Sequence, residues 1–203
     1  MWTPAARAQL ARDAVPYATS LTDKEWAVVA PFMPAPAKVG RPRRWPMRLV
    51  FDGVLHVLRT GCAWAHLPHE FPPHGTVHRW FLRLSRSSAF ETMMRVLTAL
   101  DRARAGRDPL PTAAVMDSRT LRSTPESGAR AAWDGHKRMR RSKTHMAVDT
   151  MGHLLALHVT PANKGDRAAV AALADAVQDA TNESVTLAYV DSGYTGTPAA
   201  AAA

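Results

Sequence analysis

The sequence contains a single cysteine, no long apolar run, and few acidic residues relative to basic ones. Cys62 is the only cysteine among 203 residues, which excludes an intrachain disulfide and indicates a reducing compartment. No apolar run approaches the ~18 residues that a membrane-spanning helix needs, and residues 1–17 lack the apolar core of a signal peptide. These absences predict a cytoplasmic protein with no membrane partner.

Acidic side chains are outnumbered by basic ones. The chain has 26 Lys and Arg against 17 Asp and Glu, a formal net charge of +9. The positive excess lies in residues 1–150, whereas residues 151–203 carry more acidic than basic side chains. This distribution predicts a polyanionic partner, with nucleic acid favoured over membrane because no basic amphipathic anchor is present. The alternative is a genome of high GC content, which enriches Arg and Ala everywhere, but here the Arg clusters are local.

Helical patterns occupy the first half of the chain. Residues 1–20 are rich in Ala and Arg and are predicted to be disordered. Capping residues, apolar positions at i, i+3, i+4 and i+7 spacing, and Pro or Gly stops then predict four helices. They begin near Thr22, Pro46, Gly75 and Ser88. The prediction is an all-helical domain over residues 21–104, followed by a linker over residues 105–112.

The second half changes to strand patterns. An apolar run at residues 112–117, an alternating pair at 143–150 and 153–160 around Met151-Gly152, and a last run at 185–190 predict four strands. A helix from Asp166 to about Ala180 is expected between the hairpin and the last strand. The expected fold class is therefore α+β or α/β, with a second domain over residues 113–203.

Two aspartates end apolar runs in this second domain. Asp117 follows Ala113–Met116, and Asp191 follows Leu187–Val190. Carboxylates at the carboxyl ends of neighbouring parallel strands converge at one edge of a sheet, where they can bind a pair of Mg²⁺ ions. For either aspartate alone the alternative is a turn or helix cap, because Ser follows each of them.

Several blocks of the sequence resemble the DDE-class insertion-sequence transposases of the insertion-sequence five group. In the first half these are Leu21–Trp26, Gly40–Arg43, Leu58–Trp64, Leu67-Pro68, Phe71–Pro73, Thr76-Val77 and Arg79–Phe81. In the second half they are Asp117–Thr120, Lys143–Gly152, Thr160–Asn163 and Asp191–Gly196. The resemblance extends over nearly all of the chain from Leu21 onward.

The resemblance implies an RNase H-like catalytic domain in which Asp117 and Asp191 are catalytic ligands of Mg²⁺ or Mn²⁺. It also implies a bacterial, nucleoid-associated enzyme that cleaves and joins double-stranded DNA at terminal inverted repeats and target sites. The group completes its metal site with a glutamate well after the second aspartate, but no acidic residue follows Asp191 here, and Glu183 precedes it.

From that absence and the alanine-rich end we expect a C-terminally truncated copy. Its RNase H-like domain would be incomplete, its metal weakly bound, and its cleavage activity poor or absent. The alternative is a non-catalytic DNA-binding protein that occupies the element ends and inhibits the full-length transposase. Self-association, or association with the full-length enzyme, is expected in that case.

Candidate DNA contacts are the arginine and lysine clusters. The pattern of the first domain predicts a helix-turn-helix-like module, with residues 76–86 as the reading helix that contacts DNA. The proline-flanked arginines earlier in the chain are predicted to enter a minor groove. A second basic run could clamp phosphates near the metal site. The residues are Arg41, Arg43, Arg44, Arg79 and Arg83 in the first domain, and Lys137, Arg138, Arg140, Arg141 and Lys143 in the second. The alternatives are an ordinary helical packing domain with an Arg-rich surface and a solvated basic loop.

Two weaker candidates lie elsewhere. Cys62 and the histidines between His66 and His78 have loosely zinc-like spacing, but one cysteine and interrupting prolines favour ordinary polar positions. Asp149 ends a predicted strand, and a turn role beside Met151-Gly152 is favoured over metal ligation.

Overall fold

The computed structural model describes residues 3–4, 15–36, 39–40, 42–135 and 138–191, and it divides into two compact units. The first unit is Met1–Met94 and the second is Arg95–Ala203. The described part of the chain combines helices with one mixed sheet, so it has an α+β fold. The domain limits expected from the sequence, 21–104 and 113–203 around a linker, stay a prediction.

The first unit is helical. Thr22 and Glu25 form the expected capping box, in which the Thr22 side chain accepts from the Glu25 backbone N–H and Glu25 accepts from the Thr22 backbone N–H. The helices are α1 (Asp23–Val29), α2 (Met47–Thr60), α3 (His74–Arg86) and the start of α4 (Ala89–Arg104), with 3₁₀ turns at Ala30–Phe32 and Trp64–His66. All four predicted helices are confirmed.

The packing of α2 on α3 follows from the residues at their contact. Val54 of α2 and Val77 of α3 are fully buried in one apolar cluster. A Cβ added to Gly53 would lie 3.3 Å from both methyl groups of Val77, so glycine allows the helices to approach closely. Gly61 ends α2 in the left-handed conformation at φ 68°, which suits glycine because it has no Cβ.

The second unit contains a five-stranded sheet. Its strands are β1 (Ala113–Arg122), β2 (Ala132–Asp134), β3 (Met139–Asp149), β4 (Leu154–Pro161) and β5 (Leu187–Val190). β3 pairs antiparallel with β1 on one edge and with β2 and β4 on the other, while β5 pairs parallel with β1. The hairpin and the first and last strands are therefore confirmed as elements.

Among the described residues, a helix covers one face of this sheet, and the other face carries exposed side chains. The helix α5 (Val170–Thr181) packs through Leu173 and Val177 on the face that carries Ala114, Met116 and Ala147. Val170, Leu173 and Val177 are buried, as the helical spacing predicted. On the opposite face, the side chains of Leu157 and Tyr189 are 53% and 56% exposed. In the second unit, the sheet and α5 thus form two packed layers.

The strand limits differ from the sequence prediction in two places. β1 continues to Arg122, so Asp117 lies within the strand rather than at its end. β3 begins at Met139, so part of the expected basic loop is strand. In both places the apolar pattern stops while backbone pairing continues, since Arg122 of β1 still pairs with Arg141 of β3. Polar side chains on a solvent-facing strand leave no apolar signal. The helix expected to begin at Asp166 instead starts as a 3₁₀ turn, Asp166–Ala169.

Candidate functional site

Asp117 and Asp191 come together at the point where the parallel pairing of β1 and β5 stops. The last paired residues are Met116 and Val190; Asp117 is the next residue within β1, and Asp191 directly follows the end of β5. Adjacent strands lie about 4.8 Å apart. The alternation of side chains puts Asp117 on the same face as Val115, and Asp191 on the same face as Tyr189. Continued for one residue past Val190, the same alternation puts both aspartates on the face opposite α5.

The surroundings of Asp117 are open. Its side chain is exposed, and its Oδ1 accepts the backbone N–H of the following Ser118 at 2.7 Å. No described residue forms an ion pair with it. Val115, two residues earlier on the same face, is 38% exposed. A carboxylate in this setting keeps its oxygens available for a cation.

Asp149 has the opposite setting. Its side chain is buried, its Oδ2 forms a 2.7 Å ion pair with Arg102, and its Oδ1 accepts the backbone N–H groups of Met151 and His153. Burial alone would raise the pKa of Asp149, but the hydrogen bonds from His153 and Arg102 outweigh it and lower the pKa to about 2. Both oxygens of the Asp149 carboxylate therefore have partners within the protein, and these contacts hold the β3–β4 turn. The contacts of Asp149 are thus those of the turn role that the sequence predicted.

His153 and Asp101 extend this network. The ring of His153 lies between two carboxylates, with Nδ1 3.0 Å from Asp149 Oδ2 and Nε2 3.1 Å from Asp101 Oδ2. The hydrogen bond with Asp149 raises the pKa of His153, and partial burial opposes that rise. Arg102 also donates from Nε to the carbonyl of Asp108. These contacts tie the end of α4 and the following segment to the β3–β4 turn.

The basic run of the second unit lies mainly on β3. Lys137 lies outside the described residues, and Arg138, with φ 49°, directly precedes the strand. Three of its members have protein partners. Arg140 donates from Nη2 to the Ala131 carbonyl at 3.1 Å. Arg141 Nη1 lies 4.0 Å from Asp134 Oδ2, and Lys143 Nζ lies 3.1 Å from Asp166 Oδ1. The run is therefore partly neutralised within the unit, and its role as a phosphate clamp stays a prediction.

Two arginines of the first unit lie against one tryptophan. Arg41 lies outside the described residues. The guanidinium carbons of Arg43 and Arg83 lie 5.0 and 4.9 Å from the centroid of the Trp80 ring. Arg44 and Arg79 are exposed. Arg43 of the predicted loop and Arg83 of the predicted reading helix thus meet at Trp80.

Two family models match the chain, one for each half. Residues 21–94 match the model of the IS4/5 family of transposases, and residues 108–202 match the model of a transposase DDE domain. The chain belongs to the IS4/5-type DDE transposases. No curated protein and no solved structure matches it.

Membership carries three consequences for this transposase. It is by family an enzyme of DNA transposition, and the family binds DNA. Transposase DDE domains generally use a divalent metal.

Among the described residues no helix is long and apolar enough to cross a membrane.

Sequence reasoning missed the residues that arrange the transposase's charged groups. Trp80 lies one residue after Arg79 and three before Arg83, and that spacing on one helix could have identified it as a partner for an arginine. The Arg102–Asp149 ion pair joins residues 47 positions apart. No local pattern in the sequence indicates such a pair.

Proposed function

We propose that the protein is the transposase of an insertion element, with an RNase H-like catalytic domain over residues 113–203 and a DNA-binding domain over residues 21–104. The supporting observation for the catalytic part is the sheet. A central strand, β1, is flanked by an antiparallel hairpin partner and by a parallel strand, and α5 covers one face. Asp117 and Asp191 each follow directly after the last residue pair of β1 and β5, Met116 and Val190, and this single observation carries the proposal.

Asp117 and Asp191 are the residues that would hold the metal. Carboxylate oxygens are the ligands that Mg²⁺ and Mn²⁺ prefer, so the donor set fits a divalent ion. When bound, such an ion supplies electrophilic stabilisation of a phosphodiester and activation of an attacking oxygen. The role of the protein groups is to hold two negative charges at one open edge of the sheet. The substrates would be double-stranded DNA at the terminal inverted repeats and then the target DNA.

These 203 residues by themselves would cleave DNA poorly. Among the described residues, no three His, Cys, Asp or Glu side chains are grouped so that they could hold a metal ion. Mg²⁺ in such sites keeps several waters and is held by one or two carboxylates together with substrate phosphates, so two carboxylates without DNA bind it weakly. We therefore infer that these residues, taken alone, bind DNA ends with little strand cleavage. The alternative is a non-catalytic DNA-binding protein that occupies the element ends and inhibits the full-length transposase, by itself or in association with it.

The DNA-binding part of the proposal rests on α3. We infer that this helix lies against DNA in a helix-turn-helix-like domain, with Arg79 and Arg83 one turn apart on its exposed side and Val77 and Leu84 buried on the other. The basic residues from Arg138 to Lys143 would add phosphate contacts from the second unit.

The test is a DNA assay with the inverted repeats that flank the gene. We expect the purified protein to shift the mobility of this DNA more strongly than that of unrelated DNA, and to release little or no cleaved strand with Mn²⁺ or Mg²⁺. Cleavage that Asp117→Asn abolishes and Asp175→Asn does not would overturn the inference of poor activity while supporting the metal ligands. Asp175 is an exposed aspartate of α5 and serves as the matched control. Absence of any binding would contradict the proposal as a whole.

A further inference from the structure

Trp80 joins two segments of the first unit that are far apart in the sequence. Arg83 comes from α3 itself, three residues after Trp80, whereas Arg43 comes from the loop before α2. A guanidinium within about 6 Å of an indole centroid is attracted by the ring, and tryptophan is the strongest such partner. The ring therefore holds the loop arginine and the helix arginine together.

Arg43 is fixed a second time. Its Nη2 donates to the carbonyl oxygens of Pro34 and Ala35 at 2.5 and 2.6 Å. One guanidinium thus bridges the segment after the Ala30–Phe32 turn and the indole on α3. Because both its plane and one of its nitrogens contact protein groups, Arg43 is suited to hold the loop rather than to reach a ligand.

The neighbouring arginine is in a different position. Arg44 is exposed, and its guanidinium carbon lies 5.4 Å from the centroid of the Trp45 ring. A cleft of about 340 Å³ separates this part of the loop from the first half of α3, with Pro42 and Trp45 on the loop side and Thr76 and Trp80 on the helix side. Arg44 therefore lies at a concave surface that the Arg43–Trp80 contact keeps in shape.

The charge around this cleft has one sign. Residues 26–51 and residues 71–90 contain no aspartate or glutamate, while both stretches contain several arginines. Arg79 and Arg83 are exposed on α3. Without internal acidic partners, exposed guanidinium groups on two adjoining segments form a positive surface, and guanidinium groups suit the phosphates of a DNA strand.

We propose that the loop of residues 42–46 and α3 form one surface for the DNA backbone, in which Arg44 and Arg83 contact phosphates and Arg43 is a positioning residue. The inference rests on the proposed DNA-binding function and makes it specific. Arg43 acts through Arg44, because releasing the loop from Trp80 and from the Pro34 and Ala35 carbonyls removes Arg44 from the surface.

The experiment measures affinity for a mixed-sequence DNA duplex of about 30 base pairs by fluorescence anisotropy over a series of salt concentrations. Each phosphate contact contributes about 0.9 to the slope of log affinity against log salt. We expect Arg44→Ala and Arg83→Ala each to weaken binding roughly tenfold and to make the slope shallower by about 0.9. Arg59→Ala, at an exposed arginine of α2, removes the same charge elsewhere and is expected to leave the slope nearly unchanged.

The double variant separates positioning from contact. Arg43→Ala should lower the affinity and the salt slope by about as much as Arg44→Ala does. The salt slope of the Arg43→Ala/Arg44→Ala double variant should be no shallower than that of Arg44→Ala alone. A double variant shallower by about 1.8 would mean that Arg43 makes its own phosphate contact, which overturns the positioning role. If the wild type binds DNA but all of these variants bind as it does, the surface is wrong. If the wild type itself does not bind, the proposed function fails first.

Trp80 provides the second pair of variants. Trp80→Phe keeps an aromatic face for both guanidinium groups and is expected to retain most of the affinity. Trp80→Leu releases both Arg43 and Arg83 and should weaken binding at least as much as Arg43→Ala. Circular dichroism melting of each variant identifies any that has lost its fold. Equal binding by folded Trp80→Leu and wild type would contradict the proposal.

Discussion

Asp149 and Asp117 lie on paired strands of one sheet, yet their surroundings differ in every respect. Asp149 is 1% exposed and accepts hydrogen bonds from a buried arginine, a histidine and two backbone N–H groups. Asp117 is exposed and accepts one backbone N–H from its own neighbour. The first carboxylate has its charge compensated inside the protein, and the second does not. The comparison separates an aspartate that holds the fold from one that is available for chemistry.

The largest expected effect is the loss of Asp149. Removing one member of a buried ion pair leaves the other charge uncompensated, so Asp149→Ala should lower the free energy of unfolding by about 3–5 kcal/mol. Urea unfolding measures the change. Asp149→Asn keeps the size of the side chain and an acceptor for the turn, and it should cost less. A loss below about 1 kcal/mol for Asp149→Ala would contradict a structural role.

A smaller effect is expected at His153, and it depends on pH. The pKa of His153 is raised in the folded protein, so its protonated form stabilises the fold. That contribution is complete below the unfolded-state pKa of about 6.5 and is lost as the pH rises through the higher folded-state value. The melting temperature difference between wild type and His153→Gln should therefore be largest near pH 5.5 and shrink by pH 9.

His145 does not obscure this measurement. Burial lowers the pKa of His145, so its own effect on stability has the opposite sign, but it is present in both proteins and cancels in the difference. A difference between wild type and His153→Gln that stays constant with pH would contradict the contacts of His153 with Asp149 and Asp101.

The smallest effect on stability is expected at Asp117. Because the side chain is exposed, Asp117→Asn should change the free energy of unfolding by no more than about 0.5 kcal/mol. Urea unfolding under the conditions used for Asp149→Ala gives a direct comparison. A loss comparable with that of Asp149→Ala would remove the contrast between the two carboxylates.

The sequence predicted the elements more closely than the contacts between them. The spacing of Met47 to Leu58 and the stop at Gly61 predicted α2, and the alternation around Met151-Gly152 predicted the hairpin. These signals are local, since each depends on side chains within one or two turns of structure. The strand limits were less accurate because β1 and β3 continue as polar residues that pair through their backbones.

The pairings that define the sites are long-range, and most could not be predicted. The register of β1 with β5 joins residues more than 70 positions apart, and only the two similar apolar runs before Asp117 and Asp191 indicated it. Nothing local indicates that Arg43 contacts Trp80, or that Arg102 pairs with Asp149. Arg43 and Arg44 are equivalent in the sequence, and only their contacts distinguish them.

Binding of Mn²⁺, followed by the electron paramagnetic resonance signal of the free ion, shows whether Asp117 and Asp191 are metal ligands. We expect weak binding by the wild type, further weakening by Asp117→Asn and by Asp191→Asn, and unchanged binding by Asp175→Asn. Wild-type binding that both Asp117→Asn and Asp191→Asn leave unaltered would contradict the assignment of these two aspartates as the metal ligands.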